Sequence, residues 1–329
     1  MTVHRLGVIG GGAWGTALAQ VAASGGERTL IWAREAEVVD GINRCHENGI
    51  FLPGISLNPG IRATGDLAEL SACDALLVVT PAQHTRSVLS AIELSGKPLV
   101  LCAKGMEEST TKLMHDVARE EQPDSPIAVL SGPTFADEVA AGRPAAVTLA
   151  VEDRPVGEAL RARLARPWFR PYLSDDVIGA EIGGAVKNVL AIACGVVEGR
   201  GLGQNARAAL ISRGFAEMTR FGIARGARAE TLAGLSGLGD LVLTCSSTSS
   251  RNFSLGKGLG EGSSAAELLA DRRTIAEGAY TAPVLVRAAE QAGVDMPIAA
   301  AVRALLAGEA SVDEVLDNLL SRPLRSEGL

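Results

Sequence analysis

A single lysine in an otherwise apolar stretch is the first residue of this sequence that suggests chemistry. Lys187 is the only charged residue between Ile182 and Val197. A buried ammonium is costly unless it is paired, deprotonated or facing a functional cavity. Gly183 and Gly184 lie one turn earlier and would let a cofactor or another backbone approach closely. The pattern therefore favours an active-site lysine over one that extends its ammonium to solvent.

Several other polar residues of the C-terminal half could assist this lysine. Asp240 lies among glycines and apolar residues, where it could tune a lysine or simply cap a helix. Asn188 is either a substrate-binding group or a helix-packing amide. Ser250, Arg251 and Asn252 combine a guanidinium with hydroxyl and amide groups, a composition that suits phosphate binding.

Two further polar positions follow predicted strands in the N-terminal half. Lys104 comes after the apolar run Leu99–Ala103, and Ser131–Ala136 comes after Ile127–Leu130. Parallel-sheet domains bind ligands at the carboxyl ends of their strands. The placement of these residues predicts that they contribute to a ligand site.

A glycine-rich turn near the N-terminus predicts dinucleotide binding. Gly10, Gly12 and Gly15 match G-x-G-x-x-G between a predicted strand, Leu6–Ile9, and a predicted helix, Thr16–Ala23. The glycines would allow a tight turn, close approach of pyrophosphate and close packing of helix on strand. The helix N-terminus would then face the phosphates with unpaired N–H groups.

The end of the second predicted strand bears on the choice of nicotinamide cofactor. An NAD-specific protein usually carries Asp or Glu there, whereas this chain has Arg34 followed by Glu35. An arginine suits the 2′-phosphate of NADP. We therefore predict that NADP(H) is accepted and leave NAD(H) open.

The pattern of apolar runs divides the chain into two parts. Short β-branched runs alternate with helical stretches as far as Ser174, which predicts a mainly parallel sheet covered on both faces. The six predicted strands are Leu6–Ile9, Arg28–Trp32, Ala75–Val79, Leu99–Ala103, Ile127–Leu130 and Ala145–Val151. Helical periodicity dominates afterwards. We expect an α/β, doubly wound (Rossmann) domain over residues 1–175 and an all-α domain over residues 176–329.

Composition narrows the classes of function. The chain has 329 residues, a formal net charge of −7 and no basic block, so nucleic acid and anionic membranes have no general electrostatic attraction to it. Five scattered cysteines and four histidines, all four in the first half, show no metal-ligand spacing, and we expect no metal site. Without a signal peptide or an uninterrupted membrane-length apolar run, the expected location is the cytoplasm.

The chain closely resembles the bacterial NAD(P)-dependent glycerol-3-phosphate dehydrogenases over nearly its whole length. The matching segments are Gly-Gly-Gly-Ala-Trp-Gly-Thr-Ala-Leu-Ala at 10–19, Ala-Lys-Gly at 103–105, Ser-Gly-Pro-Thr-Phe-Ala at 131–136, Gly-Gly-Ala-Val-Lys-Asn-Val at 183–189, Gly-Leu-Gly-Asp-Leu-Val-Leu-Thr at 237–244 and Ser-Arg-Asn at 250–252. Their order and spacing make the resemblance specific. Gly11 and Ala276 depart from it, since Ala and Val are expected there more often.

The resemblance implies roles for individual residues. Lys187 would be the catalytic acid/base, supported by Asp240. The phosphorylated substrate would be surrounded by Lys104, Gly132, Thr134, Ser250, Arg251 and Asn252, with Lys187, Asn188 and Asp240 completing the site. Besides Gly10, Gly12 and Gly15, the cofactor would contact Ala13, Trp14, Arg34, Lys104, Ala136, Arg251, Ile275 and Glu277.

The implied reaction is reversible reduction of dihydroxyacetone phosphate to sn-glycerol 3-phosphate, a precursor of glycerophospholipids. Lys187 would protonate the developing alkoxide, which requires a pKa of roughly 7 to 8. The resemblance also implies a homodimer. The relative use of NADPH and NADH, feedback regulation and kinetic constants do not follow from the sequence.

Two other functions are compatible with parts of the pattern. A related β-hydroxyacid dehydrogenase would also use a lysine, but within Lys-x-x-x-Asn, whereas Ala191 stands at that asparagine position. A lactate-like or malate-like enzyme is disfavoured by the lack of histidine in the second half. A catalytically silent NAD(P)-sensing protein would not need Lys187, Asp240 and Arg251 together.

Overall fold

The computed structural model describes residues 2–270 and 276–323. The chain forms two compact units: Met1–Ala103 with Met114–Val177, and Lys104–Leu113 with Ile178–Leu329. The segment Lys104–Leu113 thus belongs to the second unit although the first unit flanks it in sequence. The predicted boundary near residue 175 stays a prediction.

The first unit is built on one eight-stranded sheet within the described residues, in the order β3-β2-β1-β4-β5-β6-β7-β8. The strands are β1 Leu6–Ile9, β2 Thr29–Trp32, β3 Ile61–Thr64, β4 Ala75–Val78, β5 Leu99–Leu101, β6 Ile127–Ser131, β7 Ala145–Val151 and β8 Phe169–Ser174. Neighbouring strands are parallel except β6 and β7, which run antiparallel. The predicted α/β doubly wound class is confirmed.

Two strands were missing from the sequence prediction, and both lie at the sheet edges. β3 carries the exposed Arg62, and β8 carries Arg170 and Pro171. An edge strand has one unpaired side, so it tolerates charges and a proline that cannot donate to a ladder. These residues break the apolar runs by which the buried strands were recognised.

Six helices accompany the sheet in the described part of the first unit: α1 Ala13–Ala23, α2 Ala36–Asp40, α3 Ala82–Leu89, α4 Met114–Glu121, α5 Ala136–Ala140 and α6 Arg154–Leu164. α1 begins three residues earlier than predicted, directly after Gly12. The glycine turn is therefore the N-terminus of the helix itself.

The second unit is helical. Its helices are α7 Val177–Gly199, α8 Gly203–Ala224, α9 Ala229–Leu232, α10 Asp240–Thr244, α11 Arg251–Gly260, α12 Ala265–Leu268, α13 Glu277–Gln291, α14 Pro297–Leu306 and α15 Val312–Leu320. α7 is the one helix of the described chain long and apolar enough to cross a membrane, but 89% of its most apolar window is buried inside the protein. This burial is typical of a core helix.

Each unit has its own apolar core. The core of the second unit includes Met106 and Leu113, which also form an isolated antiparallel bridge with each other. Burial of these two side chains anchors the segment Lys104–Leu113 to the helical unit. Lys104, the first residue of this segment, therefore belongs to the helical unit.

Candidate active site

Lys187 is buried in the helical unit against one carboxylate and one hydroxyl. Its side chain is 7% exposed, and the Asp240 side chain is fully buried. Lys187 Nζ donates to Asp240 Oδ1 at 2.7 Å and to Thr244 Oγ1 at 2.9 Å. Thr244 in turn donates to Asp240 Oδ1 at 3.3 Å. The ammonium is thus fixed in direction by two bonds.

Local backbone structure explains how α7 and α10 bring these groups together. A π-helical turn at Leu235–Gly239 leads into α10. A Cβ at Gly183 on α7 would lie 2.4 Å from the Ser236 carbonyl oxygen, so only glycine at position 183 lets α7 pack this closely against the π-helical turn. Asp240 and Thr244 are four residues apart on α10 and therefore share one face. Close helix contact thus places both oxygens at Lys187.

A second ammonium binds the other oxygen of the same carboxylate. Lys104 Nζ donates to Asp240 Oδ2 at 2.7 Å, and the Lys104 side chain is 14% exposed. Two lysines thus share one aspartate, each on its own carboxylate oxygen. An ammonium in a poorly solvated place interacts strongly with an anionic ligand.

The surroundings bring the Lys187 pKa close to neutrality. Burial lowers it from 10.5 to about 8, the Asp240 carboxylate opposes the shift, and the Lys104 ammonium adds to it. A lysine with such a pKa is populated in both protonation states near neutral pH. It can therefore donate a proton or accept one.

A chain of two buried amides runs beside the lysine. Asn188 Nδ2 donates to the Lys104 carbonyl at 3.0 Å, and Asn252 Nδ2 donates to Asn188 Oδ1 at 2.9 Å. Asn252 Oδ1 accepts from the Gly278 N–H at 2.9 Å. Both amides therefore join separate segments of the second unit. An amide nitrogen has two hydrogens, so these bonds are compatible with the predicted substrate contacts of Asn188 and Asn252.

The predicted phosphate-binding residues Ser250 and Arg251 lie at the start of α11. Ser250 is the N-cap residue and accepts from the Phe253 N–H at 3.2 Å. Arg251 is the first residue of the helix and is exposed. A helix N-terminus and a guanidinium are both suited to an anion.

The glycine turn of the first unit fits a dinucleotide pyrophosphate. Gly10 has φ +123°, and a Cβ at Gly15 would lie 1.9 Å from the Gly10 carbonyl oxygen. A Cβ at Gly12 would meet nothing within 4 Å, so open space lies at the N-terminus of α1. The buried Trp14 indole N–H has no acceptor among the described residues. Gly11, by contrast, packs against the interior of the unit, since a Cβ there would lie 2.4 Å from the Cβ of Ala33.

The remaining predicted contacts are spread over both units. Arg34 follows β2, and its side chain is 79% exposed and paired with Glu35 at 3.0 Å. In the loop after β6, Thr134 Oγ1 donates to the Gly132 carbonyl at 3.2 Å, and Ala136 begins α5. Ala13 and Glu277 are the first residues of α1 and α13, whereas Ile275 lies outside the described residues.

Thr244 belongs to this site although the sequence motifs alone assign it no role. It is the last residue of the segment 237–244. Its spacing of four residues from Asp240 is the signal that could have identified it.

Comparison with known families gives matches to both parts of the chain. Residues 5–156 match the family described as NAD-dependent glycerol-3-phosphate dehydrogenase N-terminus. Residues 176–317 match the family described as NAD-dependent glycerol-3-phosphate dehydrogenase C-terminus.

Individual relatives and a solved structure match over almost the whole chain. A glycerol-3-phosphate dehydrogenase (NAD(P)+) of Erythrobacter litoralis is 66% identical over 98% of each chain. One from Sphingopyxis alaskensis is 61% identical over 100% of each chain. The crystal structure of glycerol-3-phosphate dehydrogenase from Coxiella burnetii is 37% identical, with a TM-score of 0.93 over 97% of this chain and 99% of that one.

Proposed function

This chain belongs to the NAD-dependent glycerol-3-phosphate dehydrogenase family and is an NAD(P)-dependent oxidoreductase, and from that premise we propose how its residues act. The reaction is reversible reduction of dihydroxyacetone phosphate to sn-glycerol 3-phosphate. Lys187 is the proton donor and acceptor. The observation that carries this proposal is the buried Lys187 ammonium, held by Asp240 and with a pKa of about 8.

The proposed chemistry divides between cofactor and protein. When bound, the nicotinamide supplies the hydride to the ketone carbon. Negative charge then develops on the ketone oxygen, and Lys187 Nζ donates the proton that neutralises it. Asp240 and Thr244 keep the direction of the ammonium fixed. In the reverse direction neutral Lys187 accepts the hydroxyl proton.

Phosphate recognition is assigned to cationic and polar groups of the second unit. Lys104 and Arg251 supply positive charge, while Ser250, Asn188 and Asn252 supply polar groups. Charge-assisted bonds to phosphate are stronger than neutral ones, so these contacts favour a phosphorylated ketone. Gly132 and Thr134 remain proposed substrate contacts of the first unit.

The glycine turn, with Ala13, Trp14 and Ala136, is assigned to the dinucleotide, together with Lys104, Arg251 and Glu277. Exposed Arg34 would bind the 2′-phosphate of NADP(H), while Glu35 beside it keeps NAD(H) compatible. Both nicotinamides are therefore proposed as cofactors.

Three broader expectations also remain proposals. The product would serve glycerophospholipid synthesis, the location would be the cytoplasm, and the assembly would be a homodimer. Burial of α7 supports the absence of a membrane span, and the net charge of −7 supports the absence of a nucleic-acid partner.

The decisive test removes the lysine and measures turnover and cofactor binding separately. Lys187→Ala and Lys187→Met should lower kcat for dihydroxyacetone phosphate by about 10²- to 10⁴-fold, because the proton donor is lost. Their affinity for NADPH, measured by fluorescence titration, should stay within about twofold of wild type. Near-normal turnover of either variant would refute the assigned role.

Two controls sharpen this experiment. Lys257→Ala removes a half-exposed lysine of α11 that pairs with Glu261, the residue after the helix, and it should retain wild-type turnover. The same spectrophotometric assay with NADH and with non-phosphorylated dihydroxyacetone tests cofactor choice and phosphate recognition. A wild-type protein that binds NADPH but reduces neither ketone would instead favour the alternative of a catalytically silent NAD(P)-sensing protein.

A further inference from the structure

Asn48 is a fully buried asparagine in contact with the glycine turn. Its Nδ2 donates to the Gly11 carbonyl and to Thr16 Oγ1, both at 2.8 Å. Its Oδ1 accepts from the Phe51 N–H at 3.1 Å. Both amide hydrogens and the amide oxygen are thus engaged, and all partners belong to the first unit.

The bond to Gly11 fixes the orientation of one particular peptide unit. The Gly11 carbonyl and the Gly12 N–H belong to the same planar trans peptide, in which the two groups point in opposite directions. Asn48 holds the carbonyl toward the interior of the unit. The Gly12 N–H must therefore point away from the interior, on the side where the Gly12 Cα has open space.

This orientation matters because Gly12 is the N-cap of α1. The first N–H groups of a helix have no intrahelical acceptor and are suited to anions. If the Gly11–Gly12 peptide rotated, a carbonyl oxygen would face the same space and would repel an anion. Thr16 Oγ1 lies 3.4 Å from the Gly11 oxygen and 2.8 Å from Asn48 Nδ2, which strengthens the arrangement.

The residue type at position 48 is also restricted. Aspartate would place a carboxylate oxygen where Nδ2 now donates, against the Gly11 carbonyl, and would add negative charge beside a phosphate site. An apolar side chain would leave the buried carbonyl without this donor. Only an amide supplies two donors here and an acceptor for Phe51.

We infer that Asn48 is a positioning residue for dinucleotide binding: it sets the Gly11–Gly12 peptide so that its N–H faces the pyrophosphate. This inference rests on the proposed cofactor site and extends it to a residue that does not itself contact the cofactor. Asn48 also links the turn at Asn48–Leu52 to the glycine turn, since it bonds to both.

The test compares Asn48→Asp and Asn48→Ser with a matched control in the same unit. Asn43 likewise bonds to backbone, with Nδ2 donating to the Ala63 carbonyl and Oδ1 accepting from the Ala63 N–H, both at 2.9 Å. It holds β3 rather than the glycine turn. Asn43→Asp therefore removes one donated side-chain-to-backbone bond at a more exposed position without touching Gly11.

Affinity for NADPH and for ADP-ribose is measured by fluorescence and calorimetric titration, with Tm of the ligand-free protein recorded in parallel. Both Asn48 variants should bind NADPH and ADP-ribose more weakly, with the two affinities reduced by the same factor of about tenfold or more. The factor is shared because the two ligands have the pyrophosphate in common. At saturating NADPH, kcat and KM for dihydroxyacetone phosphate should stay within about twofold of wild type. Asn43→Asp should lower Tm but leave both affinities nearly unchanged.

Other outcomes overturn the inference. It fails if folded Asn48 variants bind NADPH like wild type, or if Asn43→Asp weakens NADPH equally. It also fails if kcat falls with affinity unchanged. A wild-type protein that does not bind NADPH would instead overturn the proposed function on which the inference rests.

Discussion

Lys187 shows how a buried charge can be held ready for proton transfer. Burial favours the neutral amine and outweighs the Asp240 carboxylate, which favours the ammonium, so the pKa of Lys187 falls to about 8. Lys104 shifts the balance toward the amine and also occupies the second carboxylate oxygen. Each of these neighbours therefore has a distinct and testable electrostatic effect.

The pH dependence of turnover should follow the Lys187 ammonium. Ketone reduction requires the protonated form and should fall as pH rises through about 8, whereas glycerol 3-phosphate oxidation requires the amine and should rise through the same value. Asp240→Asn should move this break to lower pH, and Lys104→Met should move it to higher pH. Profiles of kcat in both directions check the prediction, and a break that neither substitution moves would contradict it.

Two helices of the second unit, α13 and α14, are capped at their N-termini by side chains from distant residues. Glu217 on α8 accepts from the Ile298 and Ala299 N–H groups at 2.8 and 3.3 Å, at the start of α14. Asn252 caps α13 in the same way through Gly278. The local N-cap residues, Met296 and Ala276, form no side-chain cap. These bonds replace local caps with tertiary ones.

Because Glu217 is buried, its cap should make stability depend on pH. Burial raises its pKa from 4.5 to about 7, opposed by the bonds from Ile298 and Ala299. A raised folded-state pKa contributes stability that is present below pH 4.5 and lost as pH rises through about 7.

Comparison with Glu217→Gln isolates this contribution. The unfolding free energy of wild type relative to the variant should fall by about 2 kcal/mol between about pH 5 and pH 8. Denaturant unfolding at both pH values measures it. A difference that stays constant with pH would show that Glu217 does not titrate in this range.

Helices α7 and α11 cross closely through glycines on both sides. A Cβ at Gly195 would lie 2.1 Å from the Phe253 carbonyl oxygen, and one at Gly256 would lie 1.9 Å from that of Ile192. Backbone atoms cannot move aside as a flexible side chain can. The start of α11, with the proposed phosphate-binding residues, is therefore positioned by this contact.

Gly256→Ala should separate the two helices. We expect a loss of about 2 kcal/mol in unfolding free energy and a raised KM for dihydroxyacetone phosphate, because α11 shifts. Gly258→Ala on the same helix meets only the Leu268 side chain and should be neutral or stabilising by up to about 1 kcal/mol. Equal destabilisation by both substitutions would argue against the backbone contact.

At the scale of the whole molecule, the proposed cofactor-binding residues of the glycine turn and the proton-transfer residues lie in two units with separate cores. The glycine turn belongs to the first unit, and Lys187, Asp240 and Lys104 belong to the second. The overall charge of −7 disfavours anionic ligands in general, so binding depends on these local groups.

In the full chain, NADPH and glycerol 3-phosphate should slow amide hydrogen exchange in different segments. NADPH should slow exchange at the glycine turn and the start of α1, since ligand binding suppresses local opening. Glycerol 3-phosphate should slow exchange around Lys104 and at the start of α11. If NADPH left the glycine turn unprotected, the cofactor assignment would be wrong.

The sequence by itself determined the family, the α/β class with its helical second part, the glycine turn and the unusual lysine. These features lie within a few consecutive residues: periodic apolar runs define buried strands, and a lone charge in an apolar helix stands out locally. The predicted family and fold are confirmed. The individual site residues stay predictions.

Only the tertiary structure decided which groups meet. Lys104 reaches Asp240 across 136 positions, and Glu217 caps a helix 81 positions away. It also decided that Asn48 supports the glycine turn, and that β3 and β8 close the edges of the sheet. Such pairings depend on how helices and strands pack in space, because a polar side chain bonds to whichever partner packing brings within about 3 Å, whatever their separation along the chain.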